Sequence, residues 1–308
     1  MDASRSCLAP VFSRHQDLVR IVTGEGIRCG LARRQSLYLA GNDMGARGLE
    51  RECAARNRIG LPGRYLNRQA LRDAFGIDRT GAILSPKSAI ANPVQLAAGL
   101  LRRAILRGAE LYSPVNIQDF LATRHGVVLD TGRHFIEAKR VVFCTGYEAV
   151  KGLPKKETKI TSSWAIASPP HAAYPRWLDR TLVWEAATPY LYLRTTPDGR
   201  VVAGGEDEEV DLPSYRSRSL ERKSARLVAK VRNLVPELEL KPSHKWSGAF
   251  GKQRRAALHR CRSGMPNCFA VMGFGGNGTI YSVIASQIVP GLLKGRPDSD
   301  AALYRFGD

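Results

Sequence analysis

The sequence of 308 residues contains no apolar run that approaches the roughly 18 residues needed to cross a membrane as a helix. It also lacks internal repeats and low-complexity tracts. Its first residues carry little charge and no apolar core, which argues against a secretory signal peptide. These absences predict a cytoplasmic globular protein, long enough to bury a large core that is split into two domains.

Cysteine is sparse and scattered. The six cysteines form no C-x-x-C pair and no group with the six histidines. A metal site and disulfides are therefore not expected. Cys144 and Cys268 lie inside apolar runs, where cysteine usually acts as a small buried hydrophobe.

Acidic residues are few: 28 against 47 basic residues, for a net charge of +19. Such an excess raises nucleic acid or an anionic membrane as partners. The arginines are scattered, however, in pairs such as Arg33-Arg34 and Arg102-Arg103, without interleaved aromatics or a recognised nucleic-acid module. We therefore expect neither partner, and a nucleic-acid-binding protein is the last of three hypotheses. It would require steep salt dependence of duplex binding.

The first third of the chain shows helical patterns. Hydrophobic periodicity predicts helices at 15–25 and 43–59, with a strand at 36–40 between them. Asn67 is typical of a helix N-cap, and Gly76 ends that helix. Asn92 followed by Pro93 predicts another helix, which has Val94, Ala98, Leu101 and Ile105 on one face and ends at Gly108.

A β-rich segment follows that helix. We predict a strand at 110–112, then a three-stranded meander at 116–123, 127–131 and 135–138, with glycines in its turns. The meander leads into the apolar strand 141–144, which ends at Thr145-Gly146. Ligands of α/β sheets gather at the carboxyl ends of strands, so Thr145 and Gly146 are candidate ligand neighbours. An ordinary turn at the end of a strand explains Thr145 and Gly146 equally well.

From 158 to 207 strands recur without intervening helices, at 163–167, 182–185, 190–195 and 200–204, with Asp198-Gly199 as a hairpin turn. This pattern predicts an antiparallel sheet. A helix at 218–234 and a strand at 244–250 complete the region.

The most informative stretch is a strand, a glycine-dense turn and a helix at 268–272, 273–279 and 280–293. A helix that begins directly after bare backbone offers unpaired N–H groups to an electron-rich ligand. Gly273, Gly275 and Gly278 also satisfy G-x-G-x-x-G. The chain offers no second parallel strand with an acidic end, which a complete dinucleotide-binding unit needs. The glycines therefore predict a loop over part of a ligand; an ordinary strand-to-helix turn is the alternative.

The order of motifs resembles the FAD-dependent oxidoreductases of the D-amino-acid oxidase and glycine oxidase superfamily, from about His15 to the C-terminus. The segments that carry the resemblance are SLYLAG, VVFCTG, PYLYLRTT, VVAGGEDE and MGFGGNGT. It implies a mixed α/β (α+β) fold, in which a partial FAD-binding α/β domain accompanies an antiparallel-sheet substrate domain. The expected domains are a helical segment with the first substrate-domain strand at 1–88, FAD-binding-like parts at 89–157 and 251–308, and the substrate domain at 158–250.

The resemblance also implies a cofactor, FAD, and a small amine or amino-acid substrate. Cofactor contacts are expected at Val115 on the adenine side, at Thr145 and Gly146, and along Gly273, Phe274, Gly275, Gly276, Asn277, Gly278 and Thr279 beside the isoalloxazine. Substrate contacts are proposed at Tyr190, Tyr192, Glu206 and Trp246, although core packing is the commoner role of aromatic residues on strands. No residue is assigned as catalytic.

Two departures from the family pattern stand out. Family members begin with a strand, a G-x-G-x-x-G loop and a second strand with an acidic end, and this unit is missing here. We therefore expect a truncated oxidase polypeptide with an exposed apolar face at 141–145 and 269–272, and with a partner chain or self-association. The alternative is a non-catalytic remnant or partner subunit, which the absence of a flavin spectrum would indicate.

The second departure lies at 252–262, where the family has a segment like G-x-x-K-D-G-L-P-Y-I-G. The residues KQRRAALHRCR can be back-translated so that dropping one nucleotide yields Ser-Lys-Asp-Gly-Leu-Pro-Tyr-Ile-Gly-Ala. This match indicates a displaced reading frame, with a second, compensating shift after it.

Overall fold

The computed structural model describes residues 17–148, 150–152, 159–252, 257–260, 265–272, 275–296 and 298–304. The chain forms two compact units. Unit 1 comprises Met1–Ile27, Gln95–Lys159 and Gly251–Asp308, and unit 2 comprises Arg28–Val94 and Ile160–Phe250. The domain limits predicted at 88, 157 and 250 stay predictions, since compact units and functional domains need not share their ends.

The described residues contain fourteen strands and six α-helices. The strands are β1 (Ala32–Leu39), β2 (Arg64–Asn67), β3 (Gly81–Ile90), β4 (Asp119–Ala122), β5 (Val127–Asp130), β6 (Phe135–Ala138), β7 (Val141–Phe143), β8 (Lys159–Ala167), β9 (Thr181–Glu185), β10 (Leu191–Thr195), β11 (Val201–Glu208), β12 (His244–Lys252), β13 (Ala257–Arg260) and β14 (Cys268–Met272). The helices are α1 (17–24), α2 (Ala46–Arg58), α3 (Arg68–Phe75), α4 (Pro93–Leu106), α5 (Pro213–Leu234) and α6 (Gly278–Leu293). In the part of the chain that is described, no helix is both long and apolar enough to cross a membrane.

Unit 2 is built on one sheet of eight strands in the order β12-β8-β11-β10-β9-β1-β3-β2. Neighbouring strands with a described register run antiparallel, apart from the parallel pair of β1 and β9. The alternation of strands puts Leu191 and Leu193 on the face that packs against Leu227 and Val231 of α5. We call the opposite face of this sheet the open face.

Unit 1 holds a small sheet in the order β13-β14-β7. β14 and β7 run parallel, with Cys268 opposite Val141. The two apolar segments identified in the sequence at 141–144 and 268–272 thus share one sheet. Val271 packs against Ile284 of α6 on one side, and Phe143 and Ala270 pack with the meander β4–β6 on the other.

Because β14 is covered on both sides, the expectation of an exposed apolar face at 269–272 is wrong. The segment 269–272 was predicted to leave an exposed apolar face, yet every residue of β14 is buried. Exposed apolar side chains of unit 1 lie elsewhere, on α4, on the segment after it, on the meander β4–β6 and at Tyr147 after β7. Leu101 and Ile105 of α4 are 43% and 44% exposed. The helix itself is as predicted, with the Val94 N–H donating to Asn92 Oδ1 at 3.0 Å.

The strand predicted at 110–112 is absent: residues 109–118 form no strand, and Leu111 and Tyr112 are exposed. A strand needs a hydrogen-bonded neighbour, and none of the described strands is paired with residues 110–112. The sequence interpretation also missed β2, β3 and β13, which are short or interrupted by proline and basic residues.

Candidate functional site

The first candidate site lies where β7 and β14 end. Because the two strands are parallel, their carboxyl ends meet at one edge of the small sheet. Thr145 and Gly146 follow β7 at this edge. After β14 the chain continues, beyond two residues, into a short 3₁₀ turn at Gly275–Asn277 and then α6. The structure therefore brings the two predicted turns to the same edge.

Thr145 closes the turn after β7. Its hydroxyl donates to the Glu148 carbonyl at 2.8 Å, and the Glu148 N–H donates to the Thr145 carbonyl at 3.1 Å. Gly146 adopts the left-handed conformation with φ of +65°, and a Cβ placed there would meet no atom within 4 Å. Thr145 thus shapes the turn, and Gly146 leaves open space beside it.

The loop between β14 and α6 has the same open character. Gly275 is left-handed with φ of +51°, and a Cβ at Gly276 would have no neighbour within 4 Å. The first turn of α6, which includes Thr279, contains no acidic residue. Its free N–H groups and the positive end of the helix dipole suit an electron-rich group. Asn277 and Gly278 complete this turn, whereas Gly273 and Phe274 lie outside the described residues.

Val115 lies in the extended segment between α4 and β4 and is 44% exposed. Its side chain is accessible to a ligand. No described hydrogen bond or packing contact ties it to the sheet edge, and its predicted contact with the adenine side stays a prediction.

A second candidate site lies on the open face of unit 2. Tyr38, Trp184 and Tyr192 are neighbours in register across β1, β9 and β10. The rings of Tyr38 and Trp184 are 5.9 Å apart, and Trp184 remains 36% exposed. We call these three side chains the aromatic row. Sequence reasoning singled out Tyr192 but missed Tyr38 and Trp184, because only the register of distant strands aligns them.

Two glycines of β11 make room for the neighbouring strand β10. The Tyr192 ring lies across Gly204, where a Cβ would come within 2.2 Å of the phenol oxygen. Gly205 has φ of +129°, and a Cβ there would lie 2.1 Å from the Tyr190 carbonyl oxygen. The Gly-Gly pair in VVAGGEDE is therefore required by the close approach of β10 and by the backbone itself.

Tyr190 lies just before β10, two residues before Tyr192, and the ring centroids of the two tyrosines are 6.1 Å apart. Burial raises the pKa of the Tyr190 phenol, and the Asp207 carboxylate, which accepts its hydrogen bond, raises it further. Burial also raises the pKa of Tyr192. Both phenols are therefore neutral near pH 7 and able to donate hydrogen bonds.

Glu206, named from the sequence as a candidate substrate contact, departs from the regular alternation of β11. The backbone at Glu206 is left-handed, with φ of +56°, and the register with β8 shifts after Gly205. The carboxylate consequently points to α5, where it pairs with Lys223 at 3.3 Å and Lys230 at 2.6 Å. These contacts occupy it in an internal ion-pair network.

Trp246 lies on β12, at the edge of the large sheet, and is 44% exposed. Of the four residues predicted to contact substrate, the structure thus brings together Tyr190 and Tyr192. The role of these residues and of Trp246 stays a prediction.

Comparison with known proteins adds a decisive observation. The model of the DAO family, described as FAD dependent oxidoreductase, matches residues 3–289. The chain belongs to this family. Membership of the FAD-dependent oxidoreductases implies FAD as the cofactor, in agreement with the resemblance seen in the sequence.

Among curated relatives, this member of the DAO family is similar to the "Probable oxidoreductase OrdL" of Rhizobium meliloti (strain 1021). The two are 24% identical over 226 residues, which is 72% of this chain and 50% of the relative. The match thus spans about half the length of that curated relative.

Solved structures show the same fold. Glycine oxidase from Geobacillus kaustophilus has a TM-score of 0.79 at 20% identity, over 96% of this chain and 82% of that one. Glycine oxidase from Bacillus cereus ATCC 14579 also has a TM-score of 0.79, at 14% identity, over 97% and 84% of the two chains. For iminodiacetate oxidase from Chelativorans sp. BNC1 the TM-score is 0.73 at 20% identity, over 94% and 81%. This member of the DAO family therefore has a mixed α/β fold like that of glycine oxidase.

Proposed function

We propose that the protein is an FAD-dependent oxidoreductase that oxidises a small amine or amino acid. The observation that carries the proposal is the shared edge of β7 and β14, where two left-handed glycines and the start of α6 surround open space. Such an edge of an α/β sheet is the usual place for a nucleotide cofactor.

The described residues fit the flavin at this edge. Gly146 and Gly276 leave room for a flat ring, and the amides that begin α6 would stabilise negative charge on its polar side. FAD, when bound, supplies the acceptor for the hydride that leaves the substrate. The chain's own contribution there is to bind and orient the ring with backbone groups.

The substrate class is supported by the relatives, which include enzymes named as oxidases of glycine and iminodiacetate. The open face of unit 2 offers the aromatic row and neutral phenols, groups that suit a small organic molecule with polar ends. We assign no residue as a catalytic acid or base. In this proposal a hydride passes from the amine to FAD, and that step requires no acid or base on a protein side chain.

The function can be tested on the purified full chain. FAD is added, the unbound cofactor is removed, and the visible spectrum of the protein is recorded. We expect a bound flavin whose absorbance bleaches under anaerobic conditions with glycine, iminodiacetate or L-proline as the trial substrate. A chain that retains no FAD would instead support the non-catalytic remnant or partner subunit.

Gly276→Val tests the glycine loop. The valine side chain would fill the open space beside Gly276, so we expect FAD to bind at least about tenfold more weakly, equivalent to about 1.4 kcal/mol. Gly24→Val is the matched control, since Gly24 lies on α1 of the same unit and also has no neighbour within 4 Å. Titration of both variants with FAD measures the difference. Equal affinities would remove the loop from the cofactor site.

The coding DNA tests the proposed frame displacement. Within the segment 252–262, β13 pairs antiparallel with β14. Residues 253–256 and 261–264 lie outside the described part of the chain. We expect a neighbouring frame across 252–262 to encode the family segment. If it does, the present segment cannot pack as in relatives, and turnover should be lost even with FAD supplied. Codons that encode no such segment in either other frame would refute the displacement.

A further inference from the structure

A groove on the surface of unit 2 lies along helix α2 and belongs to neither candidate site described above. Its volume is about 940 Å³, within the range of about 300–1,000 Å³ that small-molecule sites occupy. Leu49 and Cys53 of α2 pack against strand residues such as Ile83, whereas the arginines of the groove are about half a turn away on the helix. The groove therefore uses a face of α2 that the core leaves free.

Three arginines line the groove: Arg47, Arg51 and Arg58. Their spacings of four and seven residues place them on one face of α2. All three are exposed, and none takes part in an ion pair or a side-chain hydrogen bond within the described part of the chain. Arg56 of the same helix, by contrast, is paired with Glu52 at 2.8 Å. The groove thus presents three guanidinium groups that have no carboxylate partner.

The two acidic residues of the groove do not balance this charge. The Glu52 carboxylate is paired with Arg56, which does not line the groove. The Asp43 carboxylate accepts a hydrogen bond from the Thr188 hydroxyl at 2.7 Å and can offset one arginine. Two positive charges of the lining then remain without a counter-charge among the described residues. A ligand with more than one negative charge suits this groove.

The groove also has an uncharged part. Met44, Ala46 and Ala55 contribute apolar side chains to its lining, and Thr80 contributes a hydroxyl. Arginine binds phosphate through two parallel hydrogen bonds, and a diphosphate offers oxygens to more than one arginine at once. A single carboxylate would leave part of the charge unbalanced. A ligand that joins a diphosphate to an organic body therefore matches both parts of the lining.

We propose that the groove along α2 binds a nucleoside diphosphate. Arg47 and Arg51, one helical turn apart, bind the phosphates, and Arg58 adds to the attraction of the anion. The nucleoside lies against the apolar lining at Met44 and Ala55. The proposal is independent of the proposed oxidase, because every residue of the groove belongs to unit 2 and none belongs to the cofactor edge.

The test compares ADP, adenosine and inorganic pyrophosphate as ligands of the full chain, by titration calorimetry at low ionic strength. We expect ADP to bind about tenfold or more tightly than adenosine, because only ADP offers the arginines a charged partner. ADP should also bind more tightly than pyrophosphate, which lacks the nucleoside. The double variant Arg47→Gln, Arg51→Gln should weaken ADP binding by about tenfold or more and leave adenosine binding unchanged.

The matched control is the double variant Arg218→Gln, Arg232→Gln. Both arginines are exposed on α5, so the control removes the same charge from the same unit but outside the groove. It should bind ADP as the wild-type protein does. Equal weakening in the two double variants, both shown to be folded by circular dichroism, would mean attraction by net charge alone and would overturn the proposal. A wild-type protein that binds ADP no more tightly than adenosine or pyrophosphate would overturn it as well.

Glutamine is a favourable residue in helices, so the variants of α2 should fold. If the double variant of the groove does not fold, the single variants Arg47→Gln and Arg51→Gln are compared with Arg218→Gln in the same way. Weaker ADP binding in the groove variants alone supports the proposal, and equal binding in all three overturns it.

FAD contains an ADP group, so the cofactor edge is the other place where ADP can bind. Gly276→Val distinguishes the two sites, since it should weaken FAD binding and leave ADP binding unchanged. ADP binding that is lost in Gly276→Val and kept in the Arg47→Gln, Arg51→Gln protein would overturn the groove. In a protein that never retains FAD, ADP binding that depends on Arg47 and Arg51 would support the groove and reject the proposed oxidase.

Discussion

Gly205→Ala is expected to destabilise unit 2 by about 3 kcal/mol, because two costs coincide at this position. Gly205 has a backbone φ of +129°, which residues other than glycine rarely adopt. In addition, the new Cβ would lie 2.1 Å from the Tyr190 carbonyl oxygen, which is backbone and cannot rotate away. Relief would require β10 and β11 to separate where Gly205 pairs with Leu191.

Gly248→Ala provides the control for Gly205→Ala. Gly248 belongs to β12 of the same sheet, has no positive φ and would place its Cβ in open space. The same change there should leave stability unaltered or raise it by up to about 1 kcal/mol, by restricting the unfolded chain. Urea unfolding followed by circular dichroism and by fluorescence measures both. Similar midpoints for the two variants would contradict the argument from close approach.

Lys223→Met should cost a comparable amount, about 3 kcal/mol. The Lys223 side chain is 1% exposed and lies between two carboxylates, at 3.3 Å from Glu206 and 2.7 Å from Glu208. It also donates to the Glu206 carbonyl at 2.7 Å and stands 4.7 Å from the centroid of the Trp164 ring. Methionine preserves the volume but leaves the buried carboxylate and carbonyl of Glu206 without this donor.

Lys230→Met tests whether the contribution of Lys223 to stability depends on its burial as well as on its charge. Lys230 is on the same helix and binds the same carboxylate at 2.6 Å, but its side chain is 31% exposed, so water can replace the amine. We expect a loss of about 1 kcal/mol or less for this variant. The free energy of unfolding at neutral pH distinguishes the two lysines. Equal losses would mean that burial of Lys223 does not set its contribution.

The same network predicts how acid affects the protein. Burial by itself would raise the pKa of Glu206, but the hydrogen bonds and charges of Lys230 and Lys223 outweigh it and hold the pKa below its ordinary value of 4.5. A carboxyl group with a lowered pKa stabilises the folded state above its unfolded pKa, and this contribution is lost as the pH falls through the folded pKa. Lys223→Met should therefore lose less stability than the wild-type protein when the pH is lowered below about 4.5.

Local features of the sequence predicted the part of the site that lies on one contiguous stretch. The strand, glycine turn and helix at 268–293 were predicted from an apolar run, a dense group of glycines and an amphipathic pattern. Apart from residues 273 and 274, which are not described, the structure has all three elements where they were expected. The cap at Asn67 is equally local, since its side chain accepts from the Ala70 N–H.

What depends on pairing over long distances could not be predicted. Tyr38 and Trp184 are far apart in sequence and meet only because β1 and β9 pair in parallel. The direction of the Glu206 carboxylate could not be predicted from the sequence, because positive φ angles at Gly205 and Glu206 interrupt the alternation of β11 and the carboxylate points to α5. The segment 110–112 has the composition of a strand, but composition supplies no neighbour to pair with.

The parallel pairing of β7 with β14 also determines the order in which the protein can fold during synthesis. Val141 leaves the ribosome long before Cys268, and all of Ile160–Phe250 is made in between. The large sheet can therefore form before β14 has been synthesised. During that time the apolar residues of β7 have no partner strand. A nascent chain that ends near residue 250 should contain a folded unit 2 and a binding site for chaperones on the unfinished unit 1.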